Sequence, residues 1–169
     1  MKAIASRFPD APKTFSLAAL AQVIRQNALR RPLCKVITAE CFLDLTHDQV
    51  MARIQNGNFP WAFNIGAGKL RSEPRILALT VVEKIFGVHP AIGATKDLRL
   101  KEVIDIILPA RDIRSTELQR FLSCESGQIR ILRSQFRVTR AAKATDGPNS
   151  FTVFSRASVA AWLAKRRMA

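Results

Sequence analysis

The apolar positions of this chain fall into short runs of helical or alternating spacing, punctuated by Pro, Gly and polar turns. From Ser16 to about Arg31, Leu17, Leu20, Val23, Ile24, Ala28 and Leu29 recur at helical spacing, with Arg25, Gln26 and Arg30 opposite and Pro32 at the end. This predicts an amphipathic helix behind a loose arm at residues 1–14. Its apolar face needs a partner, either the first folded unit or the same helix of a second subunit. Val36 to Gly57 then divides into a short helix capped by Thr38, a break near Leu45 and Thr46, and a second helix from about Asp48 to Asn56 stopped by Gly57. Two short helices around a tight turn make a helix-turn-helix. Trp61–Ile65 and Arg75–Leu77 read as the strands of a hairpin wing around a Gly-rich loop, and Thr80–Phe86 as a closing helix.

Residues 88–113 read as a turn-rich connector with a packing helix from about Leu98 to Leu108, halted by Pro109. The earlier order then returns. Ser115–Ser123, with Ser115 as N-cap, and Ser126–Gln135 are helix-like, Phe136–Lys143 alternates like a strand, FTVFS is a return strand and ASVAAWLAKRR a closing helix. Ile76, Val82, Ile85 and Phe86 are repeated in spacing by Val153, Val159, Trp162 and Leu163, which argues for a duplicated unit. The expected organisation is an arm and helix at 1–35, a first unit at 36–87, a connector at 88–113 and a second unit at 114–169. The fold class is mainly α with small β-hairpin wings (α+β).

Charge sharpens this picture. The 169 residues carry 27 Lys+Arg against 13 Asp+Glu, a net +14 that points to a polyanionic partner. The excess is concentrated towards the C-terminus: residues 111–169 hold 12 basic and 4 acidic side chains, and ten of the 12 are Arg, whose planar fork suits phosphate and guanine edges. Cys34, Cys41 and Cys124 have no zinc-ligand spacing and are expected to be buried reduced thiols. The opening MKAIASRFPDAPK has no apolar signal core and no run is long enough to span a membrane, so a cytoplasmic protein, associated with a bacterial or phage nucleoid, is expected.

The segments TAECFLDLTHDQVMARIQNGNFPWAFNIGAGKLRSEPRILALTVVEKIF and STELQRFLSCESGQIRILRSQFRVTRAAKATDGPNSFTVFSRASVAAWL each resemble the winged helix-turn-helix module of excisionases and MerR-like regulators. The resemblance covers about 100 of the 169 residues, and the FTVFSRASVAAWLAKR ending of the second unit carries it best. It implies a tandem winged helix-turn-helix, in which each second helix enters the major groove and each hairpin grips the backbone. The first unit departs from the pattern: it lacks the closing Trp and opens its second helix on Asp48, so reading DNA and merely packing both stay open for it.

The expected DNA-contacting set follows from that geometry. In the second unit it comprises Ser126, Gln128, Arg130, Arg133, Ser134 and Gln135, with Ile129, Ile131 and Leu132 pointing inward; in the first, His47, Gln49, Arg53 and Asn56. The wings add Lys69, Arg71 and Arg75, then Arg137, Arg140 and Lys143, with Arg156, Lys165, Arg166 and Arg167 as a backbone clamp. The expected role is sequence-specific duplex DNA binding, as a transcriptional regulator or recombination directionality factor of a mobile element. Partners would be duplex DNA, a second copy through helix Ser16–Arg31, and an integrase or RNA polymerase; an adaptor module for a DNA-processing partner and an RNA-binding protein are the alternatives.

Catalytic signals are sparse. The chain has no Tyr, which excludes a tyrosine recombinase nucleophile. Gly66-Ala67-Gly68-Lys69 lacks the length of a phosphate loop and has Leu70 where a hydroxyl is required. His47 and His89 stand apart from any nucleophile setting. A non-enzymatic protein without cofactor or metal is expected.

Overall fold

The computed structural model describes residues 31–66, 72–88, 92–141 and 152–168. All of the expected helix Ser16–Arg31 except Arg31 lies outside them. The first described element, strand β1 (Leu33–Lys35), is too short for a hydrophobic period to reveal. Helix α1 (Val36–Leu43) follows at once, preceded by an extended Lys35, so Thr38 lies inside the helix and does not cap it. It stops at Asp44, whose backbone is left-handed at φ 52° and ψ 49°, a conformation that Asp tolerates better than bulkier side chains do. Thr46 opens helix α2 (His47–Gln55) with a reciprocal cap. Its hydroxyl accepts from the Gln49 amide at 3.3 Å, and Gln49 Oε1 accepts from the Thr46 amide at 2.9 Å. Strands β2 (Ala62–Asn64) and β3 (Pro74–Leu77) and helix α3 (Ala78–Phe86) complete the unit.

A 3₁₀ turn (Thr95–Asp97) and helix α4 (Leu100–Ile107) lead to the second unit. It comprises β4 (Ile113–Arg114), α5 (Ser115–Leu122), α6 (Ser126–Leu132), a 3₁₀ turn (Arg133–Gln135), β5 (Val138–Ala141), β6 (Thr152–Phe154) and α7 (Arg156–Ala164). Helices α1 and α5 both have eight residues. Each ends on a left-handed residue, Ser123 (φ 49°) taking the place of Asp44, and reaches the next helix three positions later. Ser115 is the first residue of α5, not its cap; the Glu117 carboxylate instead accepts from the Arg114 amide at 3.0 Å.

Both sheets are three-stranded and antiparallel, ordered β1-β3-β2 and β4-β6-β5. Each expected two-stranded wing is therefore part of a sheet whose third strand comes before the helix pair. The repeated element order and strand order support duplication. Pairing fixes the equivalence as Ile76 with Phe154, opposite Cys34 and Ile113, one position on from Val153.

Two cores hold the chain. One belongs to the first unit and includes Ala39, Val50, Ile54, Phe59, Ile76, Val82 and Phe86. The other joins Leu33, Trp61, Phe63 and Leu77 to Val103, Ile104 and Ile107 of α4 and to Leu118, Leu122, Phe154 and Leu163 of the second unit. Adjacent residues of β3 serve different cores because strand side chains alternate between faces. Burying a large apolar side chain stabilises by roughly 1.5–3 kcal/mol, so a core shared in this way makes separating the units costly. Trp61 Nε1 donates to the Thr95 carbonyl at 2.6 Å and the Thr95 amide to Glu83 at 2.8 Å, which anchors the connector. No described helix is long and apolar enough to cross a membrane.

Candidate nucleic-acid interface

Helix α6 is set by burial. Ile129 and Leu132 are buried, whereas Ile131, expected to point inward, is 61% exposed. Residues two apart lie on nearly opposite sides of a helix, so Ile129 and Ile131 cannot share one buried face. The outward stripe is Gly127, Arg130, Ile131 and Ser134, at the i, i+3, i+4 and i+7 spacing of one face. Arg130 and Arg133 are exposed, with no carboxylate partner among the described residues, and Ser126 is exposed in the first turn. The Ser134 hydroxyl donates to the Ile131 carbonyl at 3.4 Å. Arg137 is exposed too, while its amide donates to Ser158 Oγ at 3.0 Å and so fixes where β5 leaves the 3₁₀ turn. Arg140 lies on β5 opposite Val153. Lys69, Arg71 and Lys143 lie outside the described residues.

The C-terminal segment runs along β2. The Asn64 amide donates to the Arg166 carbonyl and the Met168 amide to the Ala62 carbonyl, both at 2.8 Å, so the end of the second unit extends the sheet of the first. Arg167 stacks 4.1 Å above the Trp61 ring. Arg166 lies 5.3 Å from the Trp162 ring and donates to the Gly66 carbonyl at 3.1 Å and to Gln135 Oε1 at 3.3 Å. Trp162 Nε1 donates to the same oxygen at 2.6 Å. Lys165 remains exposed. Asn64 Oδ1 accepts from the Gly66 and Glu73 amides, both at 2.9 Å, and so clamps the base of the β2–β3 hairpin beside this cationic segment.

Several expected DNA contacts serve the structure instead. Arg75 is buried at 6% exposure, donating Nε to the Leu122 and Ser123 carbonyls at 3.2 Å and Nη1 to Pro74 at 3.0 Å. It occupies the C-terminal end of α5, where helix carbonyls lack internal donors. Burial lowers its pKa, partly offset by Glu73. Arg156 joins α7 to the connector through the Pro109 carbonyl at 2.7 Å and an ion pair with Asp105. Gln128 Nε2 donates to Glu73 at 2.6 Å and to the Ile65 carbonyl at 3.2 Å, so this residue faces the first unit's hairpin. Gln135 and Arg166 are committed to the contacts above.

The corresponding surface of the first unit differs in sign. His47 Nδ1 is 2.8 Å from Glu40 Oε1, Gln49 is held in the α2 cap, and Asn56 closes that helix. Arg53 is exposed, but Glu40, Asp44 and Asp48 make the α1–α2 pair net acidic. Between the β2–β3 hairpin and α6 lies a groove of about 660 Å³ whose lining includes Lys35, Glu73, Arg75, Cys124, Gln128 and Ile131. Cys34 and Cys124 are buried as expected; Cys41 is exposed, which corrects the expectation for that thiol. Among the described residues no group of three His, Cys, Asp or Glu is placed to hold a metal. Comparison of the chain with family models, curated proteins and solved structures returns no match.

Proposed function

We propose that the chain binds duplex DNA through tandem winged helix-turn-helix units, with α6 reading the major groove. The observation carrying this is a pair of exposed arginines, Arg130 on the outward face of α6 and Arg133 in the 3₁₀ turn that follows it, neither with a carboxylate partner among the described residues, at the second helix of a helix–turn–helix that leads into a hairpin. Arginine can pair bidentately with guanine O6 and N7, and a B-form major groove about 12 Å wide admits one helix. Contacts of Gln128 with Ile65 and Glu73 set α6 beside the first unit's hairpin. That neighbourhood matches the order of a hairpin at a minor groove flanked by a helix in the next major groove. The acidic α1–α2 pair disfavours close approach to phosphate, so the first unit acts mainly as the scaffold that aims α6. Among the described residues no Phe or Trp ring is exposed, whereas recognition of single-stranded RNA commonly stacks bases on exposed rings. In this reading the protein is a regulator or recombination directionality factor that acts by binding alone.

The test is selection from a random duplex pool, followed by fluorescence anisotropy across a salt series. Affinity should fall steeply, with a log–log slope of about 0.9 per phosphate contact, over a footprint of roughly 20 bp. The double substitution Arg130→Ala, Arg133→Ala should erase most discrimination, each guanine contact being worth about 1–3 kcal/mol, while leaving salt-sensitive non-specific binding. A flat salt response, or enrichment of no sequence, overturns the proposal.

A further inference from the structure

The structure assigns Ile131 a role beyond packing: we infer that it reads the 5-methyl group of a thymine in the major groove, next to a base contacted by Arg130. This rests on the DNA-binding reading above and specifies one position of it.

Ile131 is the one large apolar side chain on the outward stripe of α6, where it keeps 61% of its surface in water. A scattered exposed isoleucine needs no explanation by itself. This one sits directly beside Arg130, which is exposed as well. Gly127, one turn earlier on the same face, would meet no atom within 4 Å if it carried a Cβ. The small residue and the open space together let the helix backbone approach a partner closely at its first turn, which places the side chain one turn later at contact depth. Ile131 also lines the groove beside the β2–β3 hairpin, so a strand passing α6 brings base edges within its reach. Thymine is the base that presents a methyl group on the major-groove edge, and apolar side chains recognise it there. Arg130 supplies a guanine-directed fork at the adjacent position, so the pair is suited to a guanine next to a thymine.

The experiment uses the full chain and the duplex enriched from a random pool. Each thymine is replaced in turn by deoxyuridine, which removes only the methyl group. At one or two positions the wild type should bind about fourfold more weakly, the worth of one buried methyl. Ile131→Ala should bind the thymine and deoxyuridine duplexes equally and keep the wild-type salt slope. Because the side chain is exposed, its thermal midpoint should not move. If the wild type ignores every replacement, or if Ile131→Ala preserves the difference, the inference falls while DNA binding stands. If the wild type enriches no duplex at all, the DNA reading fails and this inference fails with it.

Discussion

Replacing Arg75 by Met keeps most of the aliphatic volume and removes the guanidinium, which isolates the electrostatic part of the link between the units. The lost contacts are the bonds to the Leu122, Ser123 and Pro74 carbonyls and the attraction of Glu73, 3.7 Å away. Bonds from a charged donor are worth about 1.5–3 kcal/mol each but are not additive, and burying the arginine carries a desolvation cost that Met escapes. The net loss is about 3–4 kcal/mol, because the α5 carbonyls stay buried without a donor. With a urea dependence near 2 kcal/mol per molar, the unfolding midpoint should fall by roughly 1.5–2 M. Trp61 lies in the first unit and Trp162 in the second, so Trp61→Phe and Trp162→Phe backgrounds report each unit separately by fluorescence. Both reports should shift together, since the Arg75 donor lies in the first unit and the Leu122 and Ser123 acceptors in the second. A shift under about 0.5 M, or one confined to Trp61, would refute the assignment of Arg75 as a link between units.

Two further outcomes follow from burial and charge. Burial pushes the thiol of Cys34 up to about 12 and that of Cys124 to about 11, so at pH 8 a thiol reagent should label Cys41 rapidly and the other two only after unfolding; fast labelling of two thiols in the native protein would contradict the packing. The hydrogen bond from Arg111, 2.5 Å from Glu117, holds that carboxyl at about 2, below its unfolded value. A depressed carboxyl pKa stabilises the fold above the unfolded pKa and loses that contribution as pH falls through the folded value. The stability gap between wild type and Arg111→Ala should therefore narrow from about pH 4.5 down to 2 in denaturant titrations. A gap constant across that range would remove the ion pair as its cause.

Much of the element order was legible because each helix carries an apolar face and each break has a physical cause. Thr46 caps α2, Gly57 follows its end, and Pro109 follows α4. Strands β1 and β4 escaped detection because two or three residues cannot display a period of two. The misassigned side chains share another cause. An arginine on a strand reads as a surface cation, and nothing local tells that Arg75 meets helix carbonyls 47 and 48 residues away. The same holds for Gln128, whose partners lie 55 and 63 residues back. Ile131 is different, since its conflict with Ile129 was present in the spacing. A strict helical count would have turned it outward without coordinates.

The asymmetry between the units gives the duplication a physical rationale under the proposed function. A helix that reads base edges must be held to within a fraction of an ångström, and a unit of about 55 residues has little core with which to hold it. Here the second unit borrows a core: Leu33, Trp61, Phe63 and Leu77 belong to the first unit yet pack with Leu118 and Phe154. In return the C-terminal segment of the second unit covers the β2 edge, which would otherwise offer unpaired amides and carbonyls. Arg75 and Arg166 are consumed in this junction, whereas Arg130, Arg133, Arg137 and Lys165 of the second unit stay exposed. The junction thus concentrates the reading surface on one helix and one hairpin, with the first unit setting their orientation.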